Sequence, residues 1–304
     1  MCSDAAAMRH NAFVYDSDAD YVARSVAFLR EGLNRGEAAI VANTRDGLAM
    51  MRDGLADDAE RVAFLDVSPI YTRPARTIAA YYGALSEQLQ SAPSVRAVAE
   101  MQFGPTIKDW ERWMAYEAAS NLSYCHLPAW VVCTYNANGL PDPVLDAVWR
   151  THTAVLGEDW RESAHFEDPR ELVRKLTPVP QPLTDLTLVA PTDDLEQFRE
   201  RLARELVAAH VPEDRALEML VAATEIAANA LAHGGGIEEI RTGRAQGRFV
   251  CEVVDRGTGF DDPVAGYLAP REGVGTGLWV ARQLAWRVEF FRSPDDSFTA
   301  RLWL

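Results

Sequence analysis

A chain of 304 residues with 45 acidic against 30 basic side chains carries a formal net charge of −15, which nucleic acid backbones and anionic membranes both repel. That balance argues against generic binding to either and suits a basic protein partner. Its 48% hydrophobic content is that of an ordinary globular protein, long enough for a core in each of two domains. No apolar run approaches the roughly 20 residues needed to cross a bilayer. Met1-Cys2-Ser3-Asp4-Ala5 lacks the charged-then-apolar order of an export signal, so a cytoplasmic protein is expected.

The first half alternates apolar, strand-like runs with amphipathic stretches. Ala12-Phe13-Val14-Tyr15 precedes a helical run with Val22, Val26, Leu29 and Leu33, and Ala38-Ala39-Ile40-Val41-Ala42 follows. Arg61 to Asp66, Val95 to Met101 and Trp130 to Tyr135 repeat the strand theme, with helical patterns at Leu48 to Leu55 and Ile78 to Leu89 between them. Continuous apolar strands separated by helices predict a doubly wound, mostly parallel sheet covered on both faces. Ligands of such sheets bind beyond the carboxyl ends of the strands. Those ends carry Asp16, Asn43, Asp66, Gln102 and Tyr135, with no nucleophile and base at recognisable spacing and no phosphate loop. This half is therefore expected not to be catalytic.

Phe103, Trp110, Trp113, Tyr116, Trp130 and Tyr135 fall near the expected sheet top, where they either wall a small-molecule pocket or pack as core. The cysteines, Cys2, Cys125, Cys133 and Cys251, are scattered without Cys-x-x-Cys spacing, so reduced thiols are expected and no disulfide framework or zinc knuckle is indicated. Cys125-His126 with Cys133 and His152 either assemble a metal or redox site or simply pack. Arg30-Glu31-Gly32-Leu33-Asn34-Arg35-Gly36-Glu37, Trp113-Met114-Ala115-Tyr116-Glu117 and Cys133-Thr134-Tyr135-Asn136 resemble the MEDS sensory domain over residues 9–166. The resemblance implies a recombinase-ATPase-like core without a Walker A loop, which senses rather than hydrolyses, with a possible small-molecule ligand.

Thr177-Pro178-Val179-Pro180-Gln181-Pro182 places proline at alternate positions and marks a stiff spacer, assigned to 167–183. A strand is expected around Leu186 to Val189 and a helix from Asp193 to His210, with Leu195, Phe198, Leu202 and Leu206 on its apolar stripe. Further on, Glu225, Asn229 and His233 recur one helical turn apart and share a face. An Asn oxygen is a hard ligand suited to Mg²⁺, and a Glu one turn earlier can accept a proton. Phe249 to Val254 read as a strand running into Asp255-Arg256-Gly257-Thr258-Gly259, leaving Asp255 free to accept a hydrogen bond from a base amino group. Gly273-Val274-Gly275-Thr276-Gly277-Leu278 opens another helix, whose first N–H groups suit a phosphate.

The order of these three boxes resembles the GHKL ATPases, and within them the anti-sigma-factor serine/threonine kinases, over residues 184–304. The resemblance implies an α+β sandwich that binds ATP and Mg²⁺. Asn229 would hold the metal, Asp255 the adenine, and Gly257 and Gly259 the approach of the base. Gly273, Gly275, Thr276, Gly277 and Leu278 would line the phosphates with His233 nearby, and Glu225 would be the catalytic base. Arg199, Arg201 or Arg204 either add positive charge near the terminal phosphate or form a solvated face. The implied partners are a sigma factor or an anti-anti-sigma (STAS-type) protein, with the chain a homodimer and neither nucleic acid nor membrane bound directly.

Two alternatives stand beside the kinase. One is a non-catalytic module that sequesters its partner when ATP is bound. The other is a sensor histidine kinase-like protein, disfavoured because His126, His152, His165 and His210 each lack an acidic residue immediately after them and because the segment 260–272 makes a short lid.

Overall fold

Alternating apolar runs and amphipathic stretches become strands and helices much where their periodicity predicts. The computed structural model describes residues 8–157, 159–268, 275–292 and 297–304, and the chain divides into two units, Met1–Thr177 and Pro178–Leu304. The first unit runs β1 (Arg9–Tyr15), α1 (Asp18–Asn34), β2 (Ala38–Asn43), α2 (Arg45–Leu55), β3 (Val62–Asp66), α3 (Pro74–Gln88) and β4 (Val95–Glu100). It continues with α4 (Ile107–Ser123), β5 (Ala129–Asn136), α5 (Asp142–Thr151), β6 (Ala154–Leu156), β7 (Trp160–Glu162) and α6 (Pro169–Leu176).

The sheet has the order β3-β2-β4-β5-β1-β6-β7, and every pairing is parallel except β6 with β7. Helices α1 and α2 pack together, and α4 packs against α3, α5 and α6. β2 and β4 are almost wholly buried, which is why they read as unbroken apolar runs rather than alternating ones. Residues 169–176, inside the stretch assigned to the spacer, form α6, capped by the Asp168 side chain and anchored by buried Leu172 and Val173. The aromatic residues of the sheet top pack closely: Trp113 lies 5.4 Å from Tyr116 and 4.9 Å from Tyr71 between ring centroids.

Arg96, in the middle of β4, is fully buried because α1 builds a seat for it. Its Nε donates to Glu37 at 2.8 Å, its Nη1 donates to Glu31 at 3.0 Å and to the Phe28 carbonyl at 3.1 Å, and the Phe28 and Trp130 rings flank it. A Cβ at Gly32 would lie 2.5 Å from the Arg96 side chain, so only glycine leaves room. The sequence Glu31-Gly32 to Glu37 is thus the wall of a buried arginine site. Cys125 is disulfide-bonded, contrary to the expectation of reduced thiols, whereas Cys133 and Cys251 are free and buried. Sequence spacing alone does not show which sulfurs a fold brings within bonding distance.

The second unit runs β8 (Thr187–Val189), α7 (Leu195–Ala208), α8 (Glu213–His233), β9 (Ile237–Ala245), β10 (Arg248–Asp255), α9 (Gly277–Leu284), β11 (Arg287–Arg292) and β12 (Phe298–Trp303). Its sheet, in the order β11-β12-β10-β9-β8, is antiparallel throughout. Phe198, Leu202 and Leu206 of α7, Met219, Ile226 and Ala227 of α8, and Ala281 of α9 share one core with Phe249, Cys251, Val253 and Leu302 of the sheet. Alternation along β10 and β12 turns Glu252 and Arg301 to the opposite face, where they pair at 2.6 Å while almost fully buried. Arg301 also donates to the Gln181 carbonyl at 2.9 Å. Among the described residues, no helix of either unit is long and apolar enough to cross a membrane.

Candidate functional site

Helix α8 begins after Pro212 with Glu213 and Asp214 in its first turn, favourable against the helix dipole. Alanine at positions 216, 222, 223, 227, 228, 230 and 232 both favours the helix and keeps its buried stripe thin. The helix stops at three glycines, Gly234 to Gly236, of which Gly235 and Gly236 adopt φ of 69° and 104°. On this helix Glu225 and Asn229 share a face, as their spacing predicts. His233, the last helical residue, is exposed.

Gly277, the first residue of α9, closes against that face. A Cβ there would lie 2.8 Å from Glu225 Oε2 and 3.1 Å from Asn229 Nδ2, so the glycine-rich helix start and the helix box meet. Asn229 Nδ2 is buried and, among the described residues, has no hydrogen-bond partner. A buried amide left unpaired costs about 1–3 kcal/mol, which marks it as a group held for something else. Among the described residues, Gly275 has nothing within 4 Å of its Cβ direction and the Thr276 side chain makes no capping hydrogen bond to α9. Leu278 is half-buried and packs on the core. Gly273 lies outside the described residues.

Asp255 ends β10 beside the close of α8. Its Oδ1 accepts the Gly257 N–H at 2.8 Å, and Gly234 and Gly257 approach until a Cβ on Gly257 would lie 2.8 Å from Gly234 Cα. Partial burial raises the Asp255 carboxyl above its ordinary range, opposed by the Gly257 N–H. Gly259 has φ of 62°, and a Cβ there would meet the Phe298 ring at 2.1 Å. Helix box, strand-end aspartate and second glycine box therefore gather around the C-terminal turns of α8 and the start of α9.

Several supports were not legible in the sequence. Asp193 Oδ1 accepts the Ile237 N–H at 2.8 Å, and Arg256 donates to the Gly235 and Ile237 carbonyls, fixing the glycine turn after α8. Phe260, Phe290 and Phe298 form a ring cluster beneath Gly259, with Phe260 5.0 Å from each of the other two. Arg282 of α9 donates to the Ala265 carbonyl at 2.6 Å and lies over the Tyr267 ring, tying 265–267 to the helix. Arg199 and Arg201 are engaged locally: Arg199 with the Leu195 carbonyl, Arg201 with the Ala190 and Pro191 carbonyls.

The helix box, Asp255 and the glycine start of α9, gathered on an antiparallel sheet backed by helices, are consistent with a nucleotide-binding unit. The comparisons make the assignment specific. Residues 9–153 match the family model of the MEDS domain, the MEthanogen/methylotroph, DcmR Sensory domain, and residues 188–300 match that of the histidine kinase-like ATPase domain. The chain thus combines a MEDS-type domain in its first half with a histidine kinase-like ATPase domain in its second, an architecture that supports an ATP-binding regulatory protein. No curated protein matches the chain. Among solved structures, the flagellar accessory protein FlaH from Methanocaldococcus jannaschii is similar at 12% identity, over 51% of this chain and 75% of that one, with a TM-score of 0.27 that carries no argument.

Proposed function

We propose that the protein is an anti-sigma-factor-type serine/threonine kinase whose second unit binds Mg-ATP and acts on a transcription-regulatory partner under control of the first. The carrying observation is the meeting of Gly277 with Glu225 and the amide of Asn229, unpartnered among the described residues. The residues fit the group: a hard oxygen donor at Asn229, a glycine-rich helix start at Gly275 to Gly277, and a strand-end carboxylate at Asp255. When bound, Mg-ATP supplies the transferable phosphoryl group and the charge that offsets it. With this reading goes a finer one of the fold, a recombinase-type core for the first unit and the GHKL sandwich for the second.

In this reading Asn229 orients the metal through its Oδ1, and Asp255 accepts a hydrogen bond from adenine. Gly257 and Gly259 leave the base its space, and Gly275 to Leu278 offer N–H groups to phosphate. Glu225 accepts the proton of a Ser or Thr hydroxyl on the protein substrate. Phosphoryl transfer depends chiefly on positioning and charge neutralisation, so these few groups suffice. Leu217 and Val221, 62% and 38% exposed, continue the line of Glu225 along α8, an apolar strip that supports a protein partner, either a sigma factor or an anti-anti-sigma (STAS-type) protein.

Glu225→Gln is the test that separates a kinase from a sequestering module. The amide keeps the shape and cannot accept the proton, so Mg-ATP affinity should stay within a few-fold while phosphate transfer to candidate anti-anti-sigma proteins disappears. Unchanged transfer would remove Glu225 from the reaction, and normal ATP binding without transfer by the wild type would favour sequestration.

A further inference from the structure

Within the first unit, four fully buried side chains converge from four elements: His10 of β1, Glu117 of α4, Cys133 of β5 and His152 just past α5. One nitrogen of each ring, a carboxylate oxygen and the sulfur all lie within 4.8 Å of one another. His10 Nε2 is 3.2 Å from Cys133 Sγ and 3.3 Å from Glu117 Oε2, and His152 Nε2 is 3.1 Å from that same oxygen. Register explains the first pair. β1 and β5 pair with Ala12 opposite Cys133, so His10 and Cys133 project from the same face of the sheet, the one that α4 covers.

The surrounding hydrogen bonds fix the protons of both rings. Asn121 Nδ2 donates to the Glu117 and Thr151 carbonyls, leaving its Oδ1 to accept from His10 Nδ1 at 3.2 Å. His152 Nδ1 lies 3.0 Å from the Val148 carbonyl, which only accepts, and 2.9 Å from the Thr151 hydroxyl, which gives its own hydrogen to the Ala147 carbonyl. Both imidazoles therefore carry hydrogen on Nδ1; His10 Nε2 meets the Cys133 thiol, and His152 Nε2 turns a bare lone pair toward the carboxylate. Among the described residues, Glu117 Oε2 and His152 Nε2 accordingly have no hydrogen-bond partner, and a lone pair facing a carboxylate in a dry interior repels it unless a cation lies between them.

We propose that His10, Glu117, Cys133 and His152 form a four-coordinate site for a divalent transition metal of the zinc class. Two imidazoles, a thiolate and a carboxylate are ligands that favour such an ion over Mg²⁺ or Ca²⁺, and their two negative charges neutralise it in a buried setting. An ion about 2.1 Å from tetrahedral ligands sets them about 3.4 Å apart; three of the separations here are 3.1–3.3 Å and the widest reaches 4.8 Å, so binding would draw the outer ligands in. Binding releases the Cys133 proton to solvent. Asn121 and the Val148 carbonyl orient the rings from outside, as the outer shell of a metal site does. A cavity of about 20 Å³, bordered by His10, Glu117, Cys133, Tyr71 and Tyr116, adjoins the cluster and has room for about one water-sized ligand.

Of the residues that the sequence grouped, Cys133 and His152 belong to the cluster, whereas Cys125 is disulfide-bonded and His126 lies against Tyr82. Glu117 and Cys133 fall within two of the three segments that carry the MEDS resemblance.

The full chain, produced with zinc in the medium and dialysed, should retain about one zinc per molecule by mass spectrometry. Exchange for Co²⁺ should give the visible bands of tetrahedral cobalt and a thiolate-to-cobalt charge-transfer band in the near ultraviolet. Cys133→Ser should abolish that band, and His152→Gln should lower metal content at least about tenfold. Cys251→Ser, which removes the buried thiol of the other unit, should change neither. The cobalt spectrum of the wild type requires no variant to fold, and circular dichroism verifies the fold of each variant. Folded wild-type protein that retains no metal and gives a featureless cobalt spectrum overturns the proposal, as does a charge-transfer band that survives Cys133→Ser in a folded chain.

Discussion

Gly275 and Gly277 stand in the same turn yet make different demands on their neighbours. Gly277 leaves no room for a methyl group against Glu225 and Asn229, whereas among the described residues nothing lies within 4 Å of the Gly275 Cβ direction. Gly277→Ala should therefore weaken Mg-ATP binding at least about tenfold, or about 1.4 kcal/mol, measured by calorimetry on the full chain. Gly275→Ala should cost less, unless the nucleotide itself fills the space; equal affinity for Gly277→Ala and wild type would show that the close approach is not part of the pocket. Asp255→Asn keeps a carbonyl for the Gly257 N–H but can turn an amino group toward the adenine, so affinity should fall. Because burial raises the Asp255 carboxyl, it gains its proton at a higher pH than an ordinary aspartate. Binding that needs its ionised form should weaken as the pH drops through that raised value, a dependence that Asp255→Asn should remove.

At the scale of elements, two buried ionisable groups set what each sheet tolerates. Glu252 pairs with Arg301 across β10 and β12, and Glu252→Ala would leave that buried guanidinium to Glu289 at 3.5 Å and the Gln181 carbonyl, lowering stability in denaturant melts by about 1–3 kcal/mol. Loss of less than about 1 kcal/mol would mean that the pair is solvated. In the first unit Glu100, at the end of β4, accepts from Tyr15 at 3.0 Å and from Thr134. Burial pushes its carboxyl up from 4.5 to about 7, the bonds from Thr134 and Tyr15 opposing the shift and Asp18 adding to it. A folded value above the unfolded one means that its stabilisation is whole below pH 4.5 and is lost as the pH rises through about 7. Relative to Glu100→Gln, the wild type should lose up to about 3 kcal/mol over that window, and parallel pH profiles for the two proteins would contradict this. Strands β1 to β5, β8 and β10 and the helix box were legible in the sequence because each rests on local periodicity, whereas β6, β7, β9, β11 and β12 were not foreseen. Glu252 with Arg301, Asp193 with Ile237, the three phenylalanines and the joining of His10 and Glu117 to Cys133 and His152 were not legible either, since their members are far apart in the chain and only the folded sheets align them. Helix α6 was missed for a different reason: nearby prolines drew 167–183 into one spacer, although Pro169 sits where a first helical turn accepts it.

For the whole molecule, the proposal is that occupancy of the sensory unit changes nucleotide affinity or transfer in the other. Such coupling is reciprocal in binding, so ATP must alter the affinity of the first unit for its ligand by the same factor. Zinc-loaded and metal-free full chains offer a first comparison, and identical ATP affinity and transfer in both would separate the ion from any signalling role. The nucleotide pocket comes before these questions, and calorimetric titration of the folded full chain with ATP, with and without magnesium, tests it most directly. The expected result is a saturable site with a dissociation constant below about 1 mM that weakens without magnesium and is lost in Asn229→Ala; a folded wild-type chain that gives no binding heat at millimolar Mg-ATP would contradict it.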